Sequence, residues 1–143
     1  MDNEYVRLLN NDTLSNLFVC KQGYVDVEDC SWYHPNWILL RYLGMVSNPA
    51  WHEEFYLSAI RKYLKSSDKV LVVGTADFSM PFICEKAGII NLTISDLCQT
   101  PLNICMNVSS HHGFGWTTEK MDIFSGIPLP YNAIVNDAFR RTD

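Results

Sequence analysis

The spacing of apolar residues changes character at Ser66–Lys69, where KSSDK separates a helical periodicity from a β-type one. Before that break, Tyr5–Cys20 and Asn36–Val46 carry apolar residues at mixed spacings of three and four, and Asn48-Pro49 signals the start of a helix over Ala50–Leu64. In that helix Trp51, Phe55, Ile60 and Leu64, with Tyr56 and Tyr63 nearby, form an apolar stripe expected to pack into the core. After the break, short apolar runs alternate with helical stretches, which predicts βαβ units and a parallel sheet. Strands are expected at Lys69–Val73, Asn91–Ser95, Trp116–Lys120 and Ala133–Val135, and helices at about Pro81–Lys86 and Thr100–His111. The unbroken run Val70-Leu71-Val72-Val73 suits a central strand covered on both faces. Gly126-Ile-Pro-Leu-Pro130 is read as a loop, because prolines two residues apart sustain neither a helix nor an interior strand.

The expected class is therefore α/β, with an N-terminal helical region over residues 1–66 and a parallel-sheet region over residues 67–143. At 143 residues the two are expected to form one compact domain. No repeat or low-complexity segment interrupts the chain.

Composition narrows the partners. A hydrophobic fraction of 48% and an aromatic fraction of 13% are those of an ordinary globular chain. The net charge of −5 arises from 16 acidic against 11 basic side chains, and Lys and Arg form no patch able to replace phosphate counterions. Nucleic acid is thus disfavoured, and a small-molecule substrate, or a protein partner that itself presents the substrate, is expected instead. Cys20, Cys30, Cys84, Cys98 and Cys105 form no CxxC pair, and their odd number argues against a disulfide framework. No apolar run approaches the ~20 residues that span a bilayer, and MDNEYVRLLNND is acidic rather than leader-like. The expectation is a cytoplasmic protein with reduced thiols and no membrane partner.

The most informative chemistry lies in VLVVGTADFSM, a buried strand delivered into a tight turn at Gly74 and then into a helix. Glycine there lets a ligand approach the backbone, and the helix start offers amides and a positive dipole end to a carboxylate or phosphate. Ile94-Ser95-Asp96 closes the second strand 22 residues after Gly74, where a carboxylate can accept two ribose hydroxyls. Capping of the following helix is the competing role for Asp96. Asp122 follows the third strand in KMDIF, and the fourth ends in Val135-Asn136-Asp137-Ala138-Phe139. Every strand end thus carries turn-forming or acidic residues, as ligand sites outside the carboxyl ends of open α/β sheets require.

Taken in order, VLVVGTADFSM, ISD, KMDIF and YNAIVNDAF resemble the first four motifs of class I S-adenosylmethionine-dependent methyltransferases, over about the last half of the chain. The resemblance implies a Rossmann-like sheet with S-adenosylmethionine as cofactor. Gly74, Thr75 and Ala76 then match the loop against its methionine part. Asp96 matches the ribose ligand, with Leu97 beside the adenine. Asp122 matches the residue holding the adenine amino group, with Ile123 packing nearby. Asn136–Phe139 match the strand end beside the reactive methyl group. The loop departs from the usual GxGxG-like pattern, because Ala76 and the bulky Phe78 fill two of its small positions. Val72 stands where the family commonly has an acidic residue in the first strand, and Asp77 is the nearest candidate to compensate.

Family domains continue beyond a fourth strand, whereas this chain ends at Asp143, so the expected sheet is a truncated one of about four strands. Its fourth strand is then an open edge, to be covered by the N-terminal helices or by a second copy in a homo-oligomer. A fragment of a longer methyltransferase is the alternative. The N-terminal region is also read as a cofactor lid, with Trp32 or Tyr33 stacking on a sulfonium or adenine, against simple packing on the sheet. Tyr33, His34 and Asp137 are the candidates on the substrate side. His111-His112 lacks metal-ligand spacing and fits a helix C-cap with Gly113, so no metal is expected. Three functions compete: a small-molecule methyltransferase, a non-catalytic nucleoside-binding subunit, and a nucleotide-dependent oxidoreductase, which the missing GxGxxG spacing disfavours.

Overall fold

A computed structural model describes residues 49–126 and 131–136. The first of these form a short 3-10 turn, Pro49–His52, leading into helix α1, Glu53–Tyr63. Then follow β1 (Lys69–Val72), α2 (Ser79–Lys86), β2 (Asn91–Asp96), α3 (Gln99–His112), β3 (Thr117–Lys120), a 3-10 turn at Ile123–Ser125, and β4 (Ala133–Val135). The strands form one all-parallel sheet in the order β3-β2-β1-β4, an α/β arrangement of the Rossmann-like kind. Sequence order thus runs outward from β1 to β3 and then returns to the other side of β1. The predicted strands and the two later helices are all present, with ends displaced by no more than two residues.

The central strand explains why the sheet assembles around it. Val70, Leu71 and Val72 are fully buried, and burial of each such side chain contributes about 1.5–3 kcal/mol. Val70 and Val72 join Leu92 and Ile94 of β2 beneath Leu57 and Ile60 of α1, Phe82 and Ile83 of α2, and Ile104 and Val108 of α3. Register is set at the amino ends by Asn132, which accepts the Lys69 amide on Oδ1 at 2.6 Å and donates its own amide to the Lys69 carbonyl at 2.7 Å. On the β3 side, the Thr93 and Thr117 hydroxyls lie 3.1 Å apart in directly paired positions.

One expectation fails. The buried face of α1 is Leu57 and Ile60, flanked by half-buried Tyr56 and Leu64, whereas Trp51, Phe55 and Tyr63 are 45%, 69% and 73% exposed. Phe55 lies two residues from Leu57, hence about 200° around the helix, so bulk and apolarity did not place it on the packed face. The packed face also carries Glu53, whose carboxylate meets Lys86 Nζ of α2 at 2.7 Å. The predicted N-terminal helices Tyr5–Cys20 and Asn36–Val46 lie outside the described residues, as does most of the Gly126–Pro130 loop.

Helix α3 ends as its sequence suggests. Gly113 adopts φ 70°, its amide bonding back to the Ser109 carbonyl, and His112 stacks on Phe114 with ring centroids 5.6 Å apart. Phe114 in turn stacks on Trp116 at 5.0 Å, and the Trp116 indole N–H donates to Glu85 at 2.8 Å. His111 and His112 therefore finish a helix and an aromatic stack. Among the described residues no helix is long and apolar enough to cross a membrane, and no group of three or more His, Cys, Asp or Glu side chains is placed to hold a metal ion.

Candidate functional site

Parallel strands deliver their carboxyl ends to one edge of the sheet, and three adjacent ends here line a half-open cleft of about 160 Å³. Val73 and Gly74 supply the wall after β1, Asp96 and Leu97 the wall at the end of β2, and Met121, Asp122 and Ile123 the wall after β3. A closed cavity of about this size holds a benzene ring, but this cleft is open on one side, so a larger ligand extends beyond its walls. Two of its seven lining residues are carboxylates, and none of these described residues is a cation.

Asp96 organises the site. It is 7% exposed, and its two oxygens reach different loops: Oδ2 accepts the Ala76 amide and Oδ1 the Cys98 amide, each at 3.0 Å. The first bond joins residues 20 apart in sequence and holds the β1 turn against β2. The second is a local bond two residues on, ahead of α3, whose N-cap residue is Cys98. Asp96 therefore braces the approach to α3 without being its N-cap. A carboxylate has roughly four acceptor positions, so these two bonds leave about two for ligand hydroxyls. Its own carbonyl accepts the Met121 amide at 3.0 Å, which fixes the β3 turn beside it.

The turn after β1 takes an unusual path. Gly74 has φ 61° and Ala76 φ 60°, the left-handed region that costs a residue with a Cβ about 1–2 kcal/mol. Ala76 thus adopts a conformation that glycine takes without this cost. Its strain is held by the Asp96 bond. A Cβ on Gly74 would meet nothing within 4 Å, so the space above that exposed residue is open. Phe78 does not crowd the cleft, because its side chain is fully buried in the core.

At the start of α2 the Ser79 amide is not free. Asp77 is fully buried and its Oδ1 accepts the Ser79 amide at 2.8 Å. Pro81 has no amide hydrogen, and the Phe82 amide bonds to the Phe78 carbonyl at 2.9 Å. Met80, the remaining residue of that turn, is buried. The Ser79 hydroxyl, a buried polar side-chain atom with no partner among the described residues, is enclosed there and does not line the cleft. A protein carboxylate thus already answers the positive end of this helix. Asp77 is also absent from the cleft wall.

The other sequence candidates divide as follows. Gly74, Asp96, Leu97, Asp122 and Ile123 come together around the cavity. Thr75 is buried, its hydroxyl donating to the Asp77 carbonyl at 2.6 Å, and Ala76 contributes its amide to Asp96. Asn136 is exposed beyond β4, whose end pairs with β1 through the Val73 amide and the Val135 carbonyl at 3.0 Å, and it does not line the cavity. Tyr33, His34 and Asp137 lie outside the described residues, as do Trp32, Cys20 and Cys30. Sequence reasoning missed Val73 and Met121, although each immediately adjoins a residue it named.

No protein-family model, curated protein or solved structure matches this chain. The geometry alone therefore carries the functional reading. Two thiols beneath the site are held neutral: Cys84 is pushed up to about 12 by burial and then by the charge of Glu85. Burial first, and the Asp77 carboxylate second, raise Cys105 well above the ordinary thiol range. Neither is a nucleophile near neutral pH.

Proposed function

We propose that this chain is a cytoplasmic protein that binds S-adenosylmethionine in the cleft above β1, β2 and β3 and transfers its methyl group to a small molecule. The observation that carries the reading is the convergence of Gly74, Asp96, Leu97, Asp122 and Ile123, from three separate strand ends, on one half-open cleft. Those residue types match the parts of a nucleoside. Asp96 accepts ribose hydroxyls with the acceptor positions its two amide bonds leave, Leu97 and Ile123 flank the base, and Asp122 on the exposed rim takes an exocyclic amino group. Gly74 leaves room for the ligand beside the backbone. When bound, the cofactor supplies an electrophilic methyl group, and the chain's part is to hold it in position.

A second reading is a nucleoside-binding subunit without catalysis, since the described cleft walls hold binding groups but no base positioned toward an acceptor. Under either reading, a second copy covers the outer edge of β4. That strand pairs only with β1 among the described residues and leaves Ile134 53% exposed. Light scattering coupled to gel filtration is expected to give twice the chain mass, and a monomer would remove this part.

Calorimetric titration with S-adenosylmethionine, S-adenosylhomocysteine and NAD tests the main reading. Saturable heat from the first two and none from NAD is expected. Silence from the first two at millimolar concentration would overturn it.

A further inference from the structure

We infer that the outer face of α1 is the docking surface for this chain's own segment Asn36–Val46, which folds back on it as the other arm of an antiparallel helical hairpin. The inference is independent of what occupies the cleft.

Phe55, Ala59 and Tyr63 follow one another at steps of four and so form a single ridge along α1, which Trp51 in the preceding 3-10 turn extends by the same step. All three aromatic rings are exposed, while Leu57 and Ile60 face the core. Singly scattered apolar residues need no partner, but three aromatic rings along one ridge form a patch of the kind that marks a contact. The segment Asn36–Val46, outside the described residues, supplies a matching surface. Leu39, Tyr42, Leu43 and Val46 stand at i, i+3, i+4 and i+7, an apolar stripe of helical period, and Arg41 is the segment's only charged side chain. Only Ser47 and Asn48 separate it from Pro49, where the 3-10 turn into α1 begins. A connection this short makes antiparallel neighbours of two helices, and the tether gives the segment an effective concentration that a second copy does not reach. With equal rise along both arms, Val46 falls opposite Trp51, Leu43 beside Phe55 and Leu39 beside Ala59. The same register sets Arg41 within one turn of the exposed Glu54, so the segment's one charge meets a charge of opposite sign.

Isotope-edited nuclear Overhauser spectra of the intact chain test the pairing. Contacts are expected from the Leu43 and Val46 methyl groups to the Trp51 and Phe55 rings. In an equimolar mixture of labelled and unlabelled chains these contacts are expected to stay within one chain. Contacts that cross between chains would give the face to a second copy and overturn the inference, as would the absence of any contact to these rings. Trypsin cleavage at Arg41 gives an independent readout. In the double variant Phe55→Ser, Tyr63→Ser that cleavage is expected to be about tenfold faster than in the unaltered chain, while Met106→Ser, at an exposed position on α3, changes it less than about twofold. Equal rates in all three chains would overturn the inference. Should the double variant fail to fold, the spectra of the unaltered chain decide.

Discussion

The turn after β1 and the turn after β2 are built on the same local bond, an aspartate accepting the amide two residues further on. Asp77 does this with Ser79 at 2.8 Å and Asp96 with Cys98 at 3.0 Å, each just ahead of a helix. Their surroundings differ. Asp77 turns inward and is fully buried, whereas Asp96 extends its second oxygen to Ala76 and forms part of a cleft wall. The short-range signature specifies a turn, but only the position of that turn in the sheet decides whether the carboxylate can meet a ligand.

Removing each carboxylate in turn separates the two roles. Asp96→Ala deletes two bonds to backbone amides at a site 7% exposed, and a loss of roughly 2–4 kcal/mol is expected in chemical denaturation, together with loss of nucleoside binding. A destabilised but folded variant that still binds would make Asp96 a brace alone. Asp77→Ala deletes one characterised bond to the Ser79 amide and is expected to cost about 1–3 kcal/mol. Its adenosine affinity should change less than about twofold, and a larger loss would place Asp77 in the binding wall after all. Ala76→Gly relieves the left-handed backbone at φ 60° and is expected to stabilise the chain by about 0.5–1 kcal/mol. Destabilisation would mean that the Ala76 methyl contributes packing greater than its strain.

The smallest effect belongs to the core behind both turns. The Cys84 thiol, ordinarily near 9.0, rises to about 12 in the folded chain. Below pH 9.0 the thiol is neutral in folded and unfolded chains alike, and its contribution to stability is intact. Between 9.0 and about 12 only the unfolded chain ionises, so that stability is lost as pH rises through this window. Alkylation of Cys84 at pH 8 should accordingly require unfolding, as mass spectrometry with a thiol reagent would show. Rapid labelling of the folded chain would contradict its burial.

Much of the scaffold was legible because its signals are local. The run Val70–Val73 announces a strand covered on both faces, and Gly113 announces the end of α3. The face of α1 was not legible, because apolar residues circle the helix and the choice of Leu57 and Ile60 over Phe55 is made by its packing against α2. In the site, strand-end positions pointed to Gly74, Asp96 and Asp122. The bond from Asp96 to Ala76 was hidden, since it spans 20 residues and exists only once β1 and β2 pair. The burial of Asp77 was hidden for a related reason: its spacing from Ser79 signals a helix start, yet nothing local says that its side chain turns inward.

The central claim, that a nucleoside occupies the cleft over β1, β2 and β3, is tested most directly by following backbone amide resonances during titration with adenosine. The account predicts that Gly74, Asp96, Leu97, Met121, Asp122 and Ile123 shift together with one affinity, while Cys84 and Asn136 stay in place. Shifts confined to other parts of the chain, or none at saturating ligand, would contradict it.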